Sequence, residues 1–371
     1  MTAQALDWIT IKGFRSIRAI ERLELRPINV VIGANGSGKS NFINSFAFLH
    51  EIREGRLQQY VRERGGAEQI LYFGSRTTKK LSLHVSFMDE VNQYSINLHP
   101  TDDDTLYPDI EAVYYWDKSK YPQPWNMVIR PNGLEAGISK PQSNMNTADY
   151  VRARLAMWRV YHVHDTSAQS PMRKTSNIND NRFLRSDGSN LAAFLYLLKE
   201  KYPDAYHLIR DTIKQATPFF DDFVLEPDPL NQESIRLEWR HIESDKYFGP
   251  SAFSDGSLRF IALATLFLQP ERLRPSVILV DEPELGLHPF AIALLASLIQ
   301  QSSMSTQVIV STQSSLLLDH FSPEDVLVAE RVKSGTQLTR LKPDQLSVWL
   351  KDYSLGQLWE KNELGGRPRP E

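Results

Sequence analysis

The sequence predicts an α/β protein: a mixed sheet flanked by helices, an antiparallel β layer beside it, and an inserted α/β-helical subdomain. Three observations carry that expectation. Gly33 to Ser40 reads GANGSGKS, placed between the apolar run Ile28–Ile32 and the helically spaced stretch Asn41–Leu49. A second apolar run, Val277–Val280, ends in the adjacent carboxylates Asp281 and Glu282. Between the two, Leu81–Met88, Asn92–Leu98 and Ile110–Trp116 alternate at period two, the pattern of antiparallel strands with one buried face.

GANGSGKS fits G-x-x-x-x-G-K-[ST], the loop that wraps the phosphates of a nucleoside triphosphate, and its strand–loop–helix context is the one this chemistry requires. Gly33, Asn35, Gly36, Ser37 and Gly38 form the loop. Gly36 and Gly38 let backbone N–H groups crowd round phosphate oxygens above a helix N-terminus. Lys39 is placed to reach the β- and γ-phosphates, and the Ser40 hydroxyl to hold Mg²⁺.

Composition narrows the class. The 371 residues carry 42 Lys and Arg against 45 Asp and Glu, so a nucleic-acid surface, if present, is local. No cysteine is present, which removes disulfides and Cys-ligated zinc and fits a cytoplasmic protein. Met1–Asp7 lacks the pattern of a signal peptide, and no apolar run is long enough to span a bilayer, so no membrane partner is expected.

In chain order, Trp8–Ile11 and Ala19–Leu25 read as strands that precede the phosphate-loop strand, with Arg15 between them near a bound nucleotide or simply exposed at a strand end. After the first helix, His50–Arg64 continues helically and Gly65-Gly66 breaks it. Ala67–Gly74 reads as an apolar return, Asp102-Asp103-Asp104 as a solvated turn, and residues 117–148 as loop. From Val151 to Arg185, seven lysines and arginines face two acids, with Trp158, Tyr161 and Phe183 interleaved: a candidate phosphate-binding surface or an ordinary charged loop. His162, His164 and Asp165 resemble a metal cluster, but on a strand the two rings share a face with no further ligand in reach, which argues against it. Helices follow at Leu191–Lys201 and Tyr206–Ala216, then strands at Phe223–Leu225 and Ile235–Trp239.

Ser254-Asp255-Gly256-Ser257 opens a helix to Leu268 and offers an anion-binding start. The buried strand after it ends in Asp281, placed for Mg²⁺, and Glu282, placed to orient or deprotonate an attacking water. Glu284–Pro289 turns into a helix at Phe290–Gln301. Gln307–Ser314 is one more buried strand, so Thr312 and Gln313 lie at its carboxyl end, where ligands sit in α/β sheets. A strand at Val326–Glu330, a helix near Leu346–Lys351 and Gly365-Gly366-Arg367-Pro368 close the chain.

GANGSGKSN after GFRSI, then FSDGS, VILVDEPELGLHP and VIVSTQS, in that order, resemble the ABC-type ATPases of the RecF, SMC and OLD group, especially small stand-alone bacterial members. The resemblance covers roughly residues 8–75 and 245–332. It implies an ABC-ATPase head with an N-terminal lobe at 1–75, an antiparallel β part at 76–135, an inserted subdomain at 136–244, a C-terminal lobe at 245–332 and a tail at 333–371. It implies ATP and Mg²⁺ as cofactors. Gly33, Asn35, Gly36, Gly38, Lys39, Ser40 and Asn41 match the phosphate loop; Phe253–Ser257, with Ser254, Asp255 and Gly256, match the signature motif. Asp281 and Glu282 match the Walker B pair, and Glu284–His288 the turn across a dimer seam. Signature and phosphate loop work in trans in this group, so the expected unit is an ATP-sandwiched homodimer or a higher oligomer of such dimers.

Two features depart from the wider class. Gln313 stands where a switch histidine is usual, which implies slow or partner-gated hydrolysis, because an amide cannot hold a proton at neutral pH. The glutamine that completes magnesium binding is ambiguous, with Gln69 preferred to Gln58 and Gln59. By analogy with small members of the group, the chain is expected to switch a separately encoded nuclease or toxin in defence against phages or plasmids. The alternatives are a RecF-like DNA-repair ATPase gripping nucleic acid through 151–185, and, less well matched, the energy subunit of a transporter.

Overall fold

The computed structural model describes residues 6–142, 146–333 and 335–366. The sequence expectations for Met1–Ala5, for 143–145 within the 117–148 loop and for Arg367-Pro368 lie outside the described residues.

One six-stranded sheet is antiparallel throughout. Its strands are β1 (Leu6–Phe14), β2 (Ile17–Glu24), β4 (Leu81–Phe87), β5 (Asn92–Pro100), β6 (Leu106–Tyr115) and β7 (Trp125–Val128), in the order β2-β1-β4-β5-β6-β7. β7 falls inside the stretch expected as loop, and β1 and β2 are joined through Arg15-Ser16, with Arg15 at φ +48°.

The second six-stranded sheet carries the nucleotide motifs. β3 (Ile28–Ile32), β8 (Trp158–Tyr161), β9 (Val277–Asp281), β10 (Gln307–Thr312), β11 (Val326–Val332) and β12 (Gly335–Arg340) lie in the order β12-β11-β3-β10-β9-β8. All neighbours are parallel except β11 and β12. The carboxyl ends of β3, β8, β9, β10 and β11 therefore share one edge, where an α/β sheet binds its ligands. Two of these strands were not read from the sequence: β12, in the expected tail, and β8, inside the segment expected as an insertion.

Alternation along the parallel strands splits the core in two. Val31, Leu279, Ile309 and Leu327 point to one face and join β1, β4, β5, β6, α1 (Lys39–Glu54) and α2 (Asn146–Ala156). Val30, Ile32, Ile278, Val280, Val308 and Val310 point to the other, against α3 (Leu191–Lys201), α4 (Pro203–Ala216), α5 (Asp255–Leu268) and α6 (Pro289–Ser302). A strand buried on both faces reads as a continuous apolar run, which is why β9 and β10 were legible. α5 buries every residue from Leu258 to Leu268, and each fully buried leucine, isoleucine or phenylalanine there contributes about 1.5–3 kcal/mol.

The apolar return at Ala67–Gly74 contains a short helical turn at Ala67–Ile70 and leads into a second at Gly74–Thr77. Short antiparallel strands occupy Phe220–Val224, Asn231–Ile235 and Glu238–His241. In place of one tail helix, a turn at Pro343–Leu346 and a 3₁₀ turn at Trp349–Lys351 precede a helix at Leu355–Glu360, which Ser354 and Gln357 cap reciprocally.

Candidate functional site

The phosphate loop leaves the centre of the parallel edge and enters α1. Gly38 sits at φ +104°, and a Cβ there would run into the Thr336 side chain, so only glycine fits. Thr336, on β12, explains the constraint: its Oγ1 donates to Ser37 O at 2.9 Å and lies 2.8 Å from Ser16 Oγ. Ser16 Oγ also accepts from Asn41 Nδ2 at 2.7 Å. The β1–β2 hairpin, the loop, the start of α1 and the carboxyl-terminal hairpin are thus tied at one point. Ala34 N–H adds a bond to Gly366 O at 3.0 Å, so the tail also closes on the loop.

Lys39 is buried, and its Nζ donates to Gly33 O at 2.6 Å and Ala34 O at 3.2 Å. Burial lowers its pKa, while the carboxylates of Glu282, Asp281 and Glu284 oppose that shift. Ser40 Oγ donates to Asp281 Oδ2 at 3.0 Å, across 241 residues, and Ser311 holds the other oxygen of Asp281. The hydroxyl–carboxylate pair beside a loop that exposes backbone N–H groups fits a nucleotide with its magnesium ion: Ser40 and Asp281 would hold the ion and Lys39 the phosphates.

Glu282 follows β9 with φ +40°, a conformation a non-glycine residue adopts only where its surroundings impose it. Its N–H donates to Ser311 O at 2.8 Å, and the Gln313 amide donates to its carboxylate. Glu284 accepts from the Thr312 hydroxyl, and its second oxygen is buried with no partner among the described residues. Burial raises the Glu284 pKa above the usual carboxylate range, against the hydrogen bond from Thr312.

The Ser254–Ser257 segment, expected as the signature motif, starts α5. Ser254 accepts from Ser257 N–H at 3.1 Å, and Ser254 and Asp255 are exposed. A Cβ on Gly256 would strike the carbonyl of Gly286, so the signature and the Glu284–His288 turn pack directly and form one continuous surface. Leu285 (51% exposed) and Phe290 (53%) add apolar area to it. Two arginines fix this surface from behind. Arg173 Nη2 meets Asp255 Oδ1 at 2.8 Å and donates to Phe253 O at 3.3 Å. Arg259, 4% exposed, donates from Nε to Val163 O at 3.0 Å and from Nη2 to His164 O at 2.8 Å.

That last contact leads to a group sequence reasoning rejected. β8 pairs with β9 in the register Val280↔Tyr161, so the chain leaving β8 runs beside Asp281. Donor atoms of His162, His164 and Asp281 all lie within 4.8 Å of one another. The expectation that His162 and His164 have no further ligand in reach is therefore corrected: the third group is Asp281. Asp165, the neighbour in sequence, bonds instead to Ser167.

Gln69 and Arg15 sit elsewhere. Both line a cavity of about 440 Å³ with Asn41, Arg64, Tyr72 and Arg331, and neither Ser40 nor Asp281 lines it. The structure places Gln69 on the turn Ala67–Ile70 beside the β1–β2 hairpin, whose Arg15 N–H donates to Ile70 O at 2.7 Å. The Arg15 Nε is buried without a partner among the described residues, and burial lowers the arginine's pKa.

Fold and site together define a P-loop ATPase of the ABC-head class. The profile of the family described as "AAA domain, putative AbiEii toxin, Type IV TA system" matches residues 28–319, and the chain belongs to that family. Among solved structures, the chain is similar to an "SmcHead bound to the C-winged helix domain of ScpA", at TM-score 0.61 and 16% identity over 92% of this chain and 99% of that one. An Smc head domain with an extended coiled coil, bound to the C-terminal domain of ScpA and derived from Pyrococcus furiosus, matches at TM-score 0.57 and 14% identity over 94% and 98%. Both likenesses concern the fold. In sequence, 84 residues, 22% of this chain, are 36% identical to Urease accessory protein 2 of Cryptococcus neoformans and span 6% of that protein. The protein is accordingly a nucleotide-binding ATPase of RecF/SMC-like type. Among the described residues, no helix is long and apolar enough to cross a membrane.

Proposed function

We propose that this ATPase closes as a homodimer around two ATP molecules and uses closure and slow hydrolysis to switch a separately encoded effector. The observation that carries the reading is the shared surface of Ser254–Gly256 and the Leu285–Phe290 region. It presents an anion-binding helix start and exposed apolar side chains on a chain whose phosphate loop already has its own Lys39, Ser40 and Asp281. Such a surface fits the γ-phosphate on a second copy. Within the site Glu282 orients or deprotonates the attacking water, and Gln313, which donates to Glu282, restrains that base.

The effector is a nuclease or toxin and the setting bacterial defence in the cytoplasm. The family description, with its toxin and type IV system, supports that setting. A grip on DNA through 151–185 is the weaker reading, because Arg152, Arg159 and Arg173 already donate to backbone carbonyls and Arg185 pairs with Asp180.

The test is Glu282→Gln. With ATP and Mg²⁺ the variant should accumulate as a dimer in sedimentation or light scattering, while the wild type returns to its starting mass as ATP is consumed. A variant that keeps one mass with and without ATP overturns the sandwich. Turnover by the purified protein alone on the order of tens per second overturns the slow-hydrolysis part.

A further inference from the structure

The structure assigns a transition-metal site to the imidazoles of His162 and His164 and the carboxylate of Asp281, a site that takes a first-row ion such as Co²⁺ or Zn²⁺ in preference to Mg²⁺. Three features build it. The donor atoms lie within 4.8 Å of one another, against about 3.4 Å between ligands of a tetrahedral metal with bonds of about 2.1 Å, so the side chains turn inward by about an ångström to close the set. The backbone that carries the rings is fixed: His162 N–H donates to Ser186 O at 2.9 Å, and His164 O accepts from Arg259 at 2.8 Å. The rings themselves, with centroids 6.3 Å apart, have no hydrogen-bond partner among the described residues, so their nitrogens are available to an ion.

Asp281 is oriented by Ser40 and Ser311, the outer support that metal-ligating carboxylates normally have. Two imidazoles and one carboxylate, with positions left open, suit borderline ions rather than magnesium, which prefers oxygen and keeps its waters. Because Asp281 also meets Ser40, an ion held here stands at the phosphate end of the nucleotide. The inference thus deepens the proposed function and rests on it for that placement, though not for the binding of metal itself. A transition metal held here stands beside the magnesium position of Ser40 and Asp281, and its supply becomes a condition on the switch.

The experiment uses the full chain, freed of metal and nucleotide. Calorimetric titration with Co²⁺ and with Mg²⁺ should show Co²⁺ binding at least about 100-fold more tightly, as nitrogen ligation demands. Histidine-selective NMR on addition of Zn²⁺ should shift two of the nine histidines. His162→Gln and His164→Gln should each weaken Co²⁺ by about 10- to 100-fold or more, with thermal melting of the metal-free proteins serving as the check on folding. Equal affinity for Co²⁺ and Mg²⁺, or Zn²⁺ shifts at histidines other than His162 and His164, overturns the site, and the wild-type NMR decides this even if a variant misfolds. Binding of a fluorescent ATP analogue to the same wild-type samples tests the nucleotide reading separately, so either can fail without the other.

Discussion

Arg259→Met asks how far the signature helix and the loop after β8 act as one unit. The arginine is 4% exposed, and its two bonds, at 3.0 and 2.8 Å, go to the carbonyls of Val163 and His164. Methionine keeps the apolar stem and removes both donors. Each charge-assisted bond is worth about 1.5–3 kcal/mol, and each carbonyl left buried costs about 1–3 kcal/mol. Against this, the variant no longer buries a guanidinium, whose pKa burial already lowers. The net loss is about 2–4 kcal/mol. At about 2.1 cal/mol/K per residue, 371 residues give an unfolding entropy of about 0.8 kcal/mol/K, so the melting temperature should fall by about 3–5 °C. Differential scanning calorimetry without nucleotide reads this directly, with Arg259→Lys between the two because an ammonium lacks the planar fork. In the Glu282→Gln background, the same change should weaken ATP-dependent dimerisation, since the loop no longer braces α5. If Arg259→Met melts with the wild type, the two bonds do not hold the loop to the helix and the coupling is wrong.

Thr336→Val keeps the shape of a side chain 3% exposed but removes the hydroxyl that joins Ser37 O to Ser16 Oγ. A stability loss of about 1–3 kcal/mol is expected by calorimetry, together with weaker binding of a fluorescent ATP analogue. Glu284→Gln probes a carboxyl whose pKa burial raises. A raised pKa means that the stability contributed by the protonated form is present below the usual glutamate value and is lost as pH rises through the folded-state value. The melting temperature of Glu284→Gln relative to wild type should therefore climb as pH rises above the usual glutamate value, and a difference that stays flat with pH refutes the assignment.

The motifs were legible because each is a local device. A glycine loop between a buried strand and a helix, and carboxylates at the end of an apolar run, announce themselves within ten residues. What escaped was adjacency. Parallel strands are joined by long crossovers, so nothing near Trp158–Tyr161 says that it lies against β9, and without that pairing His162 and His164 lack their third partner. β12 escaped for another reason. Gly335–Arg340 alternates weakly and bears charge, as an edge strand does, yet its Thr336 holds the phosphate loop. Gln69 suits the magnesium position by residue type, whereas the structure sets it in the cavity of Arg15 and Arg331 and brings His162 and His164 beside Asp281.

The basic stretch shows why charge counting misled in the same way. Between β8 and α3 the chain runs about thirty residues with little regular structure, and its carbonyls need donors that strands or helices would otherwise supply. Arginine supplies them at several points. Arg173 donates to Thr166 O, and Arg259 of α5 to Val163 O and His164 O; outside the stretch, Arg159 donates to Trp158 O, Arg173 to Phe253 O and Arg152 to Ser139 O. Arg152, Arg159 and Arg173 thus serve backbone carbonyls and Arg185 pairs with Asp180, so part of the excess of cations here pins the chain rather than facing a phosphate. Arg173 makes the consequence functional. By bonding Thr166, Phe253 and Asp255 together, it fastens the long connection to the start of α5, so a residue that first suggested a grip on nucleic acid holds the exposed Ser254–Gly256 face in shape.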